Sequence, residues 1–366
     1  MTATIKGYFA CANSSRGFCN YFESNLQGLE RLYILKGGPG TGKSTLMKEI
    51  GADFYDLGYD IEFIYCSSDP SSLDGVLIPA LKVGIVDGTA PHVIEPTAPG
   101  AIEQYVNLGI AWDKEKLSPY KDEILSLKHE ISACYERLYS EYAHALKIHD
   151  AWEKIYIDEM DFNLAPQFRY VICETLLKYP SIDHTPTVKH RFFGASTPTG
   201  SVDYIEDLTH DLKRYFIKGR PGTGKSTLLK ELAKKSETLG YDTEIYHCSF
   251  DPESLDMVLI PQLNICFFDS TAPHEYFPSL ETDEVIDTYE ALITPGTDEA
   301  NADRLAEIAS LYKATIKKGT TALGEAKKLH DVLEEIYIKA MNFQIIEGIY
   351  EQIKSEIYDL IKSSRR

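Results

Sequence analysis

Apolar and polar positions follow one another along this chain in an order that is laid down twice. In the first half, segments at 32–35, 61–66 and 83–86 read as strands, the first and last of them apolar runs, and a helical stretch at 45–57 lies between the first two. The second half repeats the order at 215–217, 243–248 and 265–268, with its helix at 227–239. A short strand precedes each set (8–11; 191–195) and leads into a helix (17–26; 201–212). Gly58-Tyr59-Asp60 and Gly240-Tyr241-Asp242 stop the central helices in turns. A short helical piece is expected after each second strand. Strands alternating with helices predict an α/β fold with a mainly parallel sheet covered on both faces.

Each half then ends in long helices. Ile124, Ile131, Cys134, Leu138, Tyr142, Ala145, His149, Trp152 and Tyr156 recur at spacings of three and four. Leu305, Ile308, Leu311, Ile316, Leu329, Val332, Ile336, Ala340 and Phe343 do the same. These stripes predict a packed helical hairpin closing each half, or else a moving lid or partner-binding arm. Gly319 and Gly324 interrupt the second stripe and predict a bend.

The two halves are copies. Residues 33–92 align without a gap to 215–274, with about 35 of about 60 positions identical, a domain-sized duplication. His149-Asp150 and Ile155-Tyr156-Ile157 pair in the same way with His330-Asp331 and Ile336-Tyr337-Ile338. The linker-like segment 179–186 sets the expected domains at 1–183 and 184–366, which are expected to pack as a pseudo-dimer.

Composition narrows the setting. A formal net charge of −19 disfavours nucleic acid and anionic membrane as non-specific partners. The seven cysteines form no C-x-x-C pair or zinc spacing and read as reduced thiols. No leader pattern and no membrane-length apolar run is evident, so a cytoplasmic address is expected.

The strand–helix junction carries the chemistry. Gly37-Gly38-Pro39-Gly40-Thr41-Gly42-Lys43-Ser44 and Gly219-Arg220-Pro221-Gly222-Thr223-Gly224-Lys225-Ser226 both match G-x-x-x-x-G-K-[ST], followed by Thr45 and Thr227. Glycines let successive N–H groups curl inward toward phosphate oxygens, and the helix N-terminus adds positive potential. Lys43 and Lys225 supply mobile charge for the outer phosphates, and Ser44 and Ser226 suit Mg2+. Asp87 and Asp269, ending apolar strands, are the expected magnesium carboxylates. Thr89, His92, Thr271 and His274 follow in a shared Asp-x-Thr-Ala-Pro-His block as candidates for sensing phosphate, or as parts of a turn. Asp69 and Asp251, just past the second strands, are candidate general bases, or openers of a helix with Ser72 or Asp74 as caps. No arginine recurs at equivalent positions, so transition-state charge must come from lysine, from N–H groups, or from across the interface between the halves. Lys36 and Lys218, just before the loops, are expected to face solvent or the sheet edge.

With these residues in place the chain resembles the P-loop NTPase superfamily. The resemblance implies Walker A and Walker B roles for Lys43, Ser44 and Asp87, and likewise for Lys225, Ser226 and Asp269. More narrowly, the duplicated Gly-Thr-Gly-Lys-Ser-Thr, Asp-Pro-x-Ser-Leu-Asp and Asp-x-Thr-Ala-Pro-His blocks resemble two-copy ATPase-like proteins of Gram-positive bacteria. Gly88 and Ser270 stand where motor ATPases of the superfamily carry a glutamate. The expectation is an ATP-binding, Mg2+-dependent ATPase coupled to movement of the helices. The alternatives are a kinase acting on a small metabolite or nucleotide, with Asp69 or Asp251 as base, and a nucleotide-gated scaffold.

Overall fold

A computed structural model describes residues 3–364. The first half runs β1 (Ile5–Tyr8), β2 (Cys11–Ser14), β3 (Gly17–Asn20), α1 (Phe22–Asn25), β4 (Arg31–Lys36), α2 (Lys43–Asp56), β5 (Ile61–Cys66), β6 (Asp69–Ile78), β7 (Val83–Asp87), β8 (Glu103–Asn107), α3 (Lys114–Leu117), α4 (Lys121–Ile157) and α5 (Leu164–Leu176). The second half repeats it as β9 (Val188–Arg191), β10 (Gly194–Thr197), β11 (Gly200–Asp203), α6 (Ile205–Thr209), β12 (Lys213–Lys218), α7 (Lys225–Thr238), β13 (Thr243–His247), β14 (Leu255–Ile260), β15 (Ile265–Asp269) and β16 (Glu284–Asp287). Helices α8 (Thr288–Leu292), α9 (Thr297–Ala300), α10 (Ala302–Ile338) and α11 (Phe343–Ser364) complete it.

The fold is α/β, with two six-stranded sheets ordered β1-β5-β6-β7-β4-β8 and β9-β13-β14-β15-β12-β16. They are mixed: five strands of each sheet run parallel to one another, while β6 and β14 run antiparallel to both neighbours. The helical piece expected there is therefore corrected to a strand. Two residues separate β5 from β6, too few for the crossover a parallel neighbour requires. Leu73, Val76, Leu77 and Ile78 bury themselves along β6. The helix expected at 17–26 shrinks to α1, since 17–20 pairs with β2 as a hairpin, and 200–203 does the same with β10.

One core joins the two sheets. Tyr8, Phe22, Ile34, Ile64 and Val86 pack with Phe193, Leu208, Phe216, Tyr246 and Phe268. At its edge Arg191 is fully buried, bonded to Glu62 (2.8 Å), Glu244 (3.1 Å) and Asn25 (2.8 Å), with its guanidinium over the Tyr8 ring.

The helices cross between halves. Each half was expected to close its own hairpin; instead α4 and α10, each of 37 residues, pack antiparallel on one another. Leu138 and Tyr142 meet Ala322 and Leu323, while Leu127 meets Leu333 and Ile336. At Gly319 α10 is unbroken, and a Cβ there would sit 2.4 Å from the Tyr142 ring, so the glycine gives that ring its room. Beyond the long helices, α5 shares a core with Tyr215, Leu228 and Leu232 of the second half, and Arg169 pairs with Glu231 (2.7 Å). Reciprocally α11 shares a core with Tyr33, Leu46 and Phe54 of the first half, and Lys354 pairs with Asp53 (2.7 Å). The boundary at 183/184 thus divides the repeats in sequence, while each sheet is covered by a helix belonging to the other repeat.

Candidate phosphate-binding sites

The loop 37–42 leaves β4 and becomes α2 at Lys43, with Gly42 at the helix N-cap in the left-handed conformation (φ 83°). Gly224 (φ 88°) does the same before α7. Neither N-cap carries a side-chain hydrogen bond, and neither first turn holds an acid. The helix-terminal N–H groups are therefore left without carboxylate competition. Thr41 Oγ1 donates to the Gly38 carbonyl and Thr223 Oγ1 to the Arg220 carbonyl, both at 2.9 Å, which locks the two curls.

Lys43 folds back over its loop. Its Nζ donates to the carbonyls of Gly37 and Gly38 (both 2.9 Å) and lies 3.5 Å from Asp87. Lys225 donates to Arg220 (2.8 Å) and lies 3.5 Å from Asp269. Ser44 Oγ accepts the Leu73 N–H and Ser226 Oγ the Leu255 N–H, both at 2.9 Å, so each hydroxyl keeps its own proton free to donate. Thr45 and Thr227 are exposed on the first helical turn. Arg220 turns aside to Asp298 (2.9 Å) and the Tyr289 ring.

The block after each strand-end aspartate folds inward. Asp87 Oδ1 accepts both the N–H and hydroxyl of Thr89 (2.9 and 2.6 Å), and Asp269 takes Thr271 in the same way (3.1 and 2.6 Å). Both threonine hydroxyls are therefore engaged by the aspartates. Lys36 and Lys218, expected at solvent or the sheet edge, instead tether this block. Lys36 Nζ donates to Gly88 (2.6 Å) and Ile94 (3.2 Å), and Lys218 to Ser270 (2.6 Å) and Tyr276 (2.7 Å).

The two histidines are buried and take different partners. His92 Nε2 lies 3.5 Å from Asp74, whereas His274 Nδ1 bonds Asp203 at 2.7 Å. Burial alone would lower the His92 pKa, but the Asp74 carboxylate outweighs it and lifts it to about 9. Asp74, one of the two residues offered as a helix cap, and its counterpart Asp256 are strand residues of β6 and β14. Burial and the neighbouring charge of Asp269 push the Asp256 carboxyl well up, so the second site holds two interacting carboxylates. Asp74 falls within a continuous buried run of β6, residues 73–78.

Asp69 accepts from Ser71 and Ser72 and faces Lys327 of α10 at 3.4 Å. Asp251 pairs with Arg16 from the β2–β3 turn at 2.7 Å. Each of these acids is thus held by a cation from the other half.

Both loops are roofed by helices of the opposite half. A Cβ on Gly40 (φ 65°) would stand 2.7 Å from Ile338 and 3.0 Å from the Glu334 carbonyl. One on Gly222 (φ 76°) would stand 2.8 Å from the Glu153 carbonyl. Short backbone clamps hold the helix ends in place: Asp113 N–H to the Ala340 carbonyl and Asn342 N–H to Ala111 at the first loop, Asp161 N–H to Leu292 and Thr294 N–H to Glu159 at the second. No described helix is long and apolar enough to cross a membrane. No family model, curated protein or solved structure matches the chain.

Proposed function

We propose that the chain binds two molecules of ATP, one at each glycine-rich loop, and hydrolyses them in a Mg2+-dependent reaction coupled to movement of the roofing helices. The observation that carries this reading is the pairing of an uncapped helix N-terminus with a lysine between loop carbonyls and a strand-end aspartate, formed twice over. Phosphate oxygens would take N–H groups from residues 40–44 and 222–226, and each lysine would exchange its loop carbonyls for the outer phosphates.

The donor set suits Mg2+. Ser44 with Asp87, and Ser226 with Asp269, offer hard oxygen ligands, and the mutual repulsion of Asp256 and Asp269 is of the kind a divalent cation relieves. Bound there, Mg2+ would neutralise charge on the β- and γ-phosphate oxygens. This chain's own residues orient the triphosphate, and the roof excludes bulk water.

Hydrolysis is favoured over transfer to an acceptor because Asp69 and Asp251, the candidate bases of a kinase, are engaged by Lys327 and Arg16. The test is phosphate release from Mg-ATP with and without small-molecule and nucleotide acceptors. Acceptor-independent release is expected. ADP formation that requires an acceptor would make the protein a kinase, and binding without turnover would make it a nucleotide-gated scaffold.

A further inference from the structure

Among the described residues that directly follow each strand-end aspartate, none is free to activate water. Gly88 and Ser270 follow the strand-end aspartates, and the hydroxyls of Thr89 and Thr271 are bound to those aspartates. The roofing helices supply what is missing. His149-Asp150-x-x-Glu153 on α4 and His330-Asp331-x-x-Glu334 on α10 occupy equivalent places in the duplication. A spacing of four puts each histidine and glutamate on one helical face. In each triplet the ligand atoms lie within 4.8 Å of one another.

That face meets the phosphate loop of the other half. The α4 backbone at Glu153 stands over Gly222, and α10 at Glu334 over Gly40, at distances that leave no room for a Cβ. His149 Nδ1 lies 3.7 Å from the Glu153 carboxylate on this face, and the positive charge of Lys225 bears on both side chains. Lys43 acts on His330 in the same way.

We propose that the two sites are composite: Glu153, with His149 beside it, is the proton-accepting group for the loop 219–226, and Glu334, with His330, serves the loop 37–44. The proposal rests on the nucleotide reading above. Because Glu153 stands over the loop at Gly222, a triphosphate seated there would have its terminal phosphate beside this carboxylate. Water oxygen then bonds to the γ-phosphorus, and the bond from that phosphorus to the bridging oxygen breaks with its electron pair on ADP. The water proton passes to the glutamate and on to solvent, so the products are ADP, inorganic phosphate and a proton. Burial and the nearby Asp150 raise the Glu153 carboxyl above its ordinary value, which makes it the better base. Each half is then inactive without the helix of the other.

Single-site backgrounds test this. K43A leaves only the second loop intact, and K225A only the first. E153Q in the K43A chain, and E334Q in the K225A chain, should each lower turnover by about 100-fold while nucleotide affinity holds or tightens. Loss of turnover when E153Q is combined with K225A, or E334Q with K43A, would put each glutamate on its own half and overturn the proposal. Full turnover in all four chains would overturn it equally. Should one glutamine variant fail to fold, the other reads its own site independently. Nucleotide binding to the unmodified chain, measured first with a fluorescent ATP analogue, separates the two readings. No binding removes the nucleotide reading and this proposal together, whereas binding and turnover indifferent to both glutamates remove this proposal alone.

Discussion

Phe9 and Phe192 exchange both of their backbone hydrogen bonds, each N–H donating to the other's carbonyl at 2.9 Å. They are equivalent residues of the two repeats, so this bridge marks a pseudo-twofold axis through the molecule. Its surroundings are not symmetric. On one side stands Tyr8, and on the other Arg191, whose charge holds both Glu62 and Glu244. Burial opposes ionisation of both acids, yet the guanidinium keeps each below the usual carboxylate range.

Removing that charge leaves two buried carboxylates without their partner. Arg191→Met is expected to lower the unfolding free energy by about 3–5 kcal/mol, as for other buried pairs broken on one side. Adding Glu62→Gln and Glu244→Gln should recover part of the loss. Urea denaturation measures both, and a loss near zero for the single variant would show that the cluster does not secure the interface.

Acid sensitivity should come from a second contact on the same interface. His190 Nδ1 lies 2.8 Å from His247 Nε2, with the Tyr21 ring tilted against His247, the charge of Lys230 bearing on it, and the Pro252 carbonyl on its other nitrogen. Burial pulls His247 down to about 4 and lowers His190 as well. The unfolded chain binds these protons first, so the stabilisation is complete above about pH 6.5 and is lost as pH falls toward 4. Between pH 7 and 5 His247 alone should cost about 2 kcal/mol. His247→Gln should flatten that slope in pH-dependent denaturation, and an unchanged slope would assign it elsewhere. The depressed Glu62 and Glu244 add their own loss only below about pH 4.5.

Two glycine substitutions should move in opposite directions. Gly222→Ala forces a side chain into left-handed backbone and against the α4 main chain, at a cost of about 1–3 kcal/mol. It should also speed hydrogen exchange at the end of α4. Gly348→Ala, within α11 and with open space around it, should stabilise by about 0.5–1 kcal/mol. Equal effects at the two positions would mean the roof does not press on the loop.

Expressed separately, residues 1–183 and 184–366 should each fail to fold. Each would expose the apolar bed of a helix it lacks: Tyr33, Leu46 and Phe54 without α11, Tyr215, Leu228 and Leu232 without α5. Co-expression should restore a folded pair, as gel filtration would show. Two stable, independent halves would contradict the crossed packing.

Sequence carried the local features well. The loops, the strands before them and the strand-end aspartates announce themselves through short motifs in fixed order. Strand β6 did not, because Asp69-Pro70 reads as a turn or helix opening and the short apolar run after it fits either period. The exchange of helices was illegible for a different reason. Both repeats carry the same apolar stripes and the same apolar beds, so nothing in the pattern says which copy a helix covers. Glu153 and Glu334 were missed with it; their one signal was a duplicated polar triplet interrupting an apolar stripe.

Calorimetric titration of Mg-ATP into the intact chain bears most directly on the central claim. Two bound nucleotides per chain are expected, with Lys43→Ala and Lys225→Ala each retaining one and the double variant none. No uptake by folded protein, or two bound nucleotides in either single variant, would contradict it.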